Sequence, residues 1–211
     1  MKIAILGATG FVGSYVLQAA LNAGYEVKAL VRTPSKLGDF AQKIEVIQGD
    51  FSDEAALAKT ISSVDAVLSA TGPTNHPGQP ELFRDAMEKL VRVMDNAGVK
   101  RLVILAGAGS LIMPQDHLTF QRKFMRFVMG VMGKYVTAAK VAEYEVLSKS
   151  NLDWTIIRMP MVTKEESTGI LADGINLVGM NLSAKDAATF MLDQLTDKAW
   201  VGKGPMVASK K

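Results

Sequence analysis

Seven residues near the start of the chain, GATGFVG from Gly7 to Gly13, are the ones whose type and spacing most directly suggest chemistry. Gly7, Gly10 and Gly13 recur at every third position, between the apolar run KIAILGA (2–8) and an amphipathic run. Glycine belongs where a backbone must turn tightly or approach something that a Cβ would block. After a strand and before a helix, the first glycine permits the turn. The second lets the backbone approach a pyrophosphate, and the third lets helix and strand pack closely. The helix N-terminus adds N–H donors and a positive dipole end. Thr9, Phe11 and Val12, within the same turn, join the three glycines as candidate dinucleotide contacts. The spacing differs by one residue from the commoner GxGxxG, so its meaning rests on the strand–turn–helix context. The triphosphate cradle GxxxxGK[ST] is absent, which argues against nucleotide triphosphate hydrolysis.

A second candidate lies at the end of the next apolar run, which reads LVRTPSK. An acidic residue there would bind ribose hydroxyls and favour NAD. Arg32, with Thr33, Ser35 and Lys36 beside it, suits a 2′-phosphate instead, so NADP(H) is expected in preference to NAD(H). The plain alternative is a solvated basic loop. The two histidines, His76 and His117, fall in loops and could act as general acids, although loop histidines are more often simply solvated. No residues have metal-ligand spacing. The absence of cysteine excludes disulfides, thiolate metal sites and cysteine nucleophiles, and fits a reducing cytoplasm.

These residues need a frame. With 211 residues, 48% of them hydrophobic, the chain can bury a sizeable core as one domain, 1–211. A net charge of +3 is too weak to imply nucleic acid. Met1 leads straight into an apolar run, so no signal peptide is expected, and no apolar stretch is long enough to span a bilayer. Strands are predicted at 2–8, YEVKALV (25–31), KIEVIQG (43–49), VDAVLSA (64–70), RLVILAG (101–107) and WTIIRM (154–159). Several are nearly continuous apolar runs, as in a parallel sheet buried on both faces. Leu82, Ala86, Leu90, Val93, Met94 and Ala97 form one stripe of a helix over 81–97. Gly24 and Gly98 sit where helices should end. The alternation implies right-handed βαβ units in a doubly wound sheet.

Two segments break the rhythm: the Pro/Gly-rich TGPTNHPGQP (71–80), and a long excursion over 111–138. Both follow carboxyl ends of strands, the edge where such sheets bind ligands. The tail from Pro160 is expected to form a small substrate-side lobe over about 160–211. It should hold a short strand at 175–179 and a final helix opened by a Ser183/Asp186 capping box.

GATGFVG, VRTPSK, GDFSD (49–53) and SNLDWTIIR (150–158) together resemble the atypical short-chain dehydrogenase/reductases, most closely their NAD(P)H-binding group. LAGAGSL (105–111) resembles the corresponding segment of proteins described as NADH–flavin reductases, which are similar in turn to biliverdin reductase B. The resemblance covers nearly the whole chain and implies a Rossmann-like doubly wound parallel sheet. It would place Asp50 and Phe51 beside the adenine, Ala70, Thr71 and Gly72 along the nicotinamide ribose, and Ala106 and Gly107 in the nicotinamide pocket. Lys140 matches the family's AK…E pattern and would contact ribose hydroxyls. An ordinary exposed helix lysine is the alternative.

The departures from that family are as informative. Its members commonly pair a tyrosine acid with a lysine four residues on. Here Val136 holds the position four before Lys140, and Tyr135 is five before it. Five residues on an α-helix is about 500°, leaving the two side chains about 140° apart. Tyr144 is a turn too far along. The usual serine position is Gly107, with Ser110 nearby, which leaves Ser110 and Lys140 as the candidate catalytic residues. Ketone reduction or sugar dehydration needs a placed proton donor. Reducing a flavin or quinone needs mainly an acceptor stacked on the nicotinamide, with protons from water. A reductase of a flavin-like or quinone-like acceptor, monomer or homodimer, is therefore expected. A non-catalytic NADP(H) sensor and an epimerase or dehydratase relative are the alternatives. In HLTFQRKFMRFVMGVMGK (117–134), Phe120, Phe124, Phe127, Val128, Val131 and Met132 form a ridge. Three readings stand: a helix packed on the sheet edge, a pocket wall with Arg122, Lys123 or Arg126 facing an anionic group, or a membrane-surface element.

Overall fold

The computed structural model describes residues 1–210. Its first half is built on β1 (Lys2–Leu6), α1 (Phe11–Asn22), β2 (Glu26–Val31), β3 (Glu45–Gln48), α2 (Glu54–Ile61) and β4 (Ala66–Ser69). α3 (Gln79–Ala97) and β5 (Arg101–Gly107) follow, then α4 (Phe120–Met132), α5 (Lys134–Leu147) and β6 (Asp153–Met159). The tail holds β7 (Met161–Thr163), β8 (Ile170–Asp173), β9 (Asn181–Ser183), α6 (Ala184–Asp193) and β10 (Met206–Ser209).

The main sheet runs β3-β2-β1-β4-β5-β6-β10-β8, parallel except for the antiparallel β10–β8 edge. Leu6 is in register with Leu30 on one side and Ser69 on the other. The chain first builds outward from β1 through β2 to β3, then returns to place β4 on the opposite side of β1. This reversal opens a crevice at the carboxyl ends of β1 and β4, where doubly wound sheets take their ligands.

Strand residues alternate between two cores, as the pleat requires. Ile3 and Ile5 join Val16, Leu17, Ala187 and Met191 on the face covered by α1 and α6. Ala4 and Leu6 join Leu57, Leu90, Met94 and Ile156 on the face of α2, α3 and α5. Both faces are buried, which is why the strands read as unbroken apolar runs. Gly24 and Gly98 take positive φ, 78° and 71°, at the ends of α1 and α3.

The tail departs from expectation. Residues 175–179 are not a strand; β8 lies earlier and β9 later. The Asp173 carboxylate accepts the N–H groups of Ile175 (2.7 Å) and Asn176 (2.8 Å), which turns the chain where it was expected to extend. Ser183 caps α6 by accepting from the Lys185 N–H, but the reciprocal arm of a capping box is missing. Asp186 accepts from the hydroxyls of Ser167 and Ser209, and the Ser183 N–H donates to the Ser209 hydroxyl. β10 inserts beside β6 in the main sheet, while β7 and β9 pair in a sheet of their own.

Candidate dinucleotide site

The turn after β1 is closed by backbone contacts. Gly7 has φ +80°, and a Cβ on it would stand 2.9 Å from the Ala70 carbonyl carbon and oxygen. The Gly10 N–H donates to the Gly7 carbonyl at 3.0 Å. A Cβ on Gly13 would lie 2.0 Å from that same oxygen, so no side chain fits without moving α1. Gly10 is the N-cap of α1 and offers no capping side chain, and no acidic residue occupies the first turn. The first N–H groups of α1 therefore lack a side-chain acceptor, as an anion-binding helix start requires.

The cleft in front of this turn encloses about 390 Å³. Of the predicted contacts, Gly7, Thr9, Gly10, Arg32, Asp50, Phe51, Ala70, Thr71 and Gly72 line it. Phe11, Val12 and Gly13 do not; they form the first turn of α1, with Phe11 exposed, Val12 packed on the core and Gly13 buried. Sequence reading did not name eight of the lining residues as contacts: Leu6, Leu30, Val31, Gly49, Thr74, Gln79, Leu82 and Phe83. The Gln79 side chain accepts from the Thr74 N–H at 3.0 Å, folding the 71–80 loop onto the start of α3. A second groove of about 970 Å³ in the tail, lined in part by Glu165, Leu171 and Val178, shares no residue with the cleft.

At one end of the cleft, Arg32 is 82% exposed and meets Asp50 only at 3.9 Å. Lys36 lines the same end, so two guanidinium or ammonium groups stand there with little to hold them. The Asp50 carboxyl is held below its ordinary range chiefly by the Ser52 N–H, with help from the Ser52 hydroxyl and Arg32.

Lys140, also predicted as a contact, does not line the cleft; it is buried behind the lining residues Thr71 and Phe83 rather than exposed. Its ammonium donates to the Thr71 carbonyl at 3.3 Å, stands 2.6 Å from the Glu143 carboxylate, and lies 5.5 Å from the centre of the Phe83 ring. Burial pushes the Glu143 carboxyl up, against the pull of Lys140. Glu143 was visible in the sequence only as the last letter of AK…E; its partnership with Lys140 follows from i,i+3 spacing on α5.

Around Lys140 the remaining candidates separate. Tyr144 packs its ring edge-on against Trp154, 6.1 Å between centres, within the core. Tyr135 is the second residue of α5, with the Lys134 ammonium 4.7 Å from its ring centre. Ser110 is buried, and its hydroxyl lies 2.9 Å from the position a Cβ on Gly107 would take. Ser110 thus fills the space in front of Gly107 that a side chain at 107 would use. Ala106 is buried within β5. His76 is exposed in the 71–80 loop, and His117 shares a hydrogen bond with the Asn176 side chain at 3.1 Å.

Two features hold the excursion after β5 in place. Asn75 donates to the Met132 carbonyl (2.7 Å) and accepts from the Tyr135 N–H (3.1 Å), joining the 71–80 loop to the corner between α4 and α5. Asp116 accepts from Arg158 at 2.5 Å and Arg122 at 2.8 Å, all three side chains being almost wholly buried. Burial alone would raise the Asp116 carboxyl, but hydrogen bonds from Arg158, Arg122 and the Met113 N–H outweigh it and hold the group low. Arg122 therefore does not face an open anionic site. Nor do the phenylalanines of α4 pack on the sheet edge or line the cleft: Phe120, Phe124 and Phe127 are exposed.

A strand-order reversal, a three-glycine turn and a helix start without a side-chain cap define a Rossmann-type dinucleotide-binding protein. The sequence pattern of the NAD(P)H-binding family matches residues 7–198, and the chain belongs to that family. Its fold is shared by ChuY, an anaerobillin reductase from Escherichia coli O157:H7 (TM-score 0.79, 18% identity, 100% of this chain and 98% of that one). It is shared also by a short-chain dehydrogenase/reductase from Veillonella parvula in complex with NADP (TM-score 0.78, 16% identity, 99% and 94%). YwnB of Bacillus subtilis is 35% identical over 119 residues, 56% of this chain and 53% of that protein. The chain thus spans about half the length of that curated relative. Among the described residues, no helix is long and apolar enough to cross a membrane.

Proposed function

We propose that this protein is a reductase that binds NADPH in the cleft between β1 and β4 and serves a flat acceptor of flavin or quinone type. When bound, the nicotinamide supplies the hydride. The protein's part is to hold and to exclude. The Gly7–Gly13 turn receives the pyrophosphate, Arg32 and Lys36 meet the 2′-phosphate, and Lys140 hydrogen-bonds ribose hydroxyls. Ser110 offers a hydroxyl beside the nicotinamide pocket. The observation that carries the reading is the surrounding of Lys140: Phe83, Glu143 and the Thr71 carbonyl, with Val136 where a tyrosine acid would stand. An acceptor that needs no placed protein acid suits such a site. The NADP-bound neighbour and the anaerobillin reductase, which share the fold, are consistent with the cofactor and with a reductive role.

The test is NADPH consumption against a panel of free flavins, quinones and carbonyl compounds. Turnover with flavins or quinones and none with carbonyls is expected. Turnover confined to carbonyls would overturn the acceptor class. Tight NADPH binding with no turnover on any of them would instead favour a non-catalytic NADP(H) sensor, the reading that the missing tyrosine also permits.

A further inference from the structure

Five of the six most exposed large apolar side chains among the described residues stand together on α4, the sixth being Met161 on β7. Phe120 is 86% exposed, Met132 73%, Phe127 68%, Val131 64% and Phe124 61%. At about 100° per residue, Phe120, Phe124, Phe127 and Val131 share an arc of about 60°, a continuous stripe along the helix. The opposite side of α4 is anchored. Arg122 is locked to Asp116, and Met125 and Met129 lie against Gly109, where a Cβ would stand 3.1 and 2.9 Å from their Cγ atoms. The ridge therefore points outward because the helix is fixed by its other face.

Lys123 and Arg126 stand exposed beside the ridge, and Lys134 follows at the start of α5. From His117 to Ala142 the sequence contains no Asp or Glu. An apolar ridge on a helix whose charged residues are all cations has the form of a helix that lies in an anionic membrane surface. A second copy is a poor match: a two-fold pairing through this face would bring cations against cations with no acidic residue on the helix to separate them. A stable dimer also needs about 800 Å² from each partner, more than one stripe of a 13-residue helix readily supplies.

We propose that α4 is an interfacial helix, which seats Phe120, Phe124, Phe127 and Val131 at the acyl boundary of an anionic phospholipid surface while Lys123, Arg126 and Lys134 meet the headgroup phosphates. The proposal does not rest on the reading of the acceptor.

The experiment is flotation of the full chain with vesicles of phosphatidylcholine alone and of phosphatidylcholine containing phosphatidylglycerol, at low and raised salt. The wild type is expected to float with the anionic vesicles and to be released by salt. Each cation at such a surface is worth on the order of a five-fold change in partitioning, so Lys123→Glu with Arg126→Glu should lower binding at least about 25-fold. Phe124→Ser with Phe127→Ser should abolish it. All four residues are exposed and lie outside the cleft, so melting temperature and NADPH affinity should match the wild type and serve as controls on folding. Failure of the wild type to bind anionic vesicles overturns the proposal, as does binding that ignores both lipid charge and charge reversal. So does a dimer in light scattering that the serine variant dissolves while vesicles remain unbound, which would make the ridge a self-association face.

Discussion

The two ends of the sheet's ligand edge are built by different means. Around β1, β2 and β4 the cleft centres on backbone, the glycine turn and a helix start whose geometry is local, with side chains such as Arg32 and Asp50 at its rim. Around β5 and β6 the edge is held by side chains brought from far apart in sequence, with Asp116, Arg122 and Arg158 buried together and Asn75 clasping the α4–α5 corner. The first construction has no room for a Cβ at Gly7 or Gly13. The second tolerates substitution on its surface but depends on a few buried polar partners.

The sharpest break of that contrast is at Gly13. Gly13→Ala puts a Cβ 2.0 Å from the Gly7 carbonyl oxygen, so α1 must shift off β1. NADPH binding should be abolished in fluorescence titration and the melting temperature should fall. Retention of wild-type affinity would mean that the turn is not the cofactor cradle.

Asp116→Ala tests the other end. It leaves Arg122 and Arg158 buried without their anion, and breaking a buried pair in this way costs about 3–5 kcal/mol, readable as a lower denaturation midpoint. The same group sets an acid limit. Its folded carboxyl is held below the unfolded value of 3.8, so its pairing stabilises fully above that pH and is lost as pH falls through the lower folded value. Melting temperature of the wild type should drop in that window, and a variant lacking the carboxyl should lack that component of the drop.

Cofactor choice comes next. Arg32→Ala should reduce the preference for NADPH over NADH by roughly ten- to a hundredfold in dissociation constants, the size of one charge-assisted contact. A preference that survives would assign it to Lys36 or to none of these residues.

The smallest expected effect is at Tyr135. Tyr135→Phe should leave the single-turnover rate of NADPH oxidation with a flavin nearly unchanged, whereas loss of a true general acid costs about 10²–10⁴-fold. A hundredfold drop would show that the hydroxyl takes part in proton transfer. Ser110→Ala should fall between Arg32→Ala and Tyr135→Phe.

The same contrast explains what could be read in advance. The six parallel strands and the glycine turn follow from periodicity and local conformation, both of which are written in adjacent residues. Lys140 could be matched to a pattern, but its burial could not, because Phe83 and Thr71 come from other elements. Asp116 gave no signal at all: a lone acid in a loop gains meaning only when Arg122 and Arg158 arrive from α4 and β6. Residues 175–179 looked like a strand because Ile175, Leu177 and Val178 are apolar, yet two hydrogen bonds to Asp173 bend the chain first. The apolar stripe of α4 was legible, and the side of the helix it would show to solvent was not.

Asn75 has a mechanical consequence. Its two hydrogen bonds tie the loop that follows β4 to the corner between α4 and α5. A dinucleotide that draws residues 71–79 inward must either carry that corner with it or break both bonds. The clasp is therefore a lever, with one arm in the cleft and the other at the C-terminal end of the exposed helix.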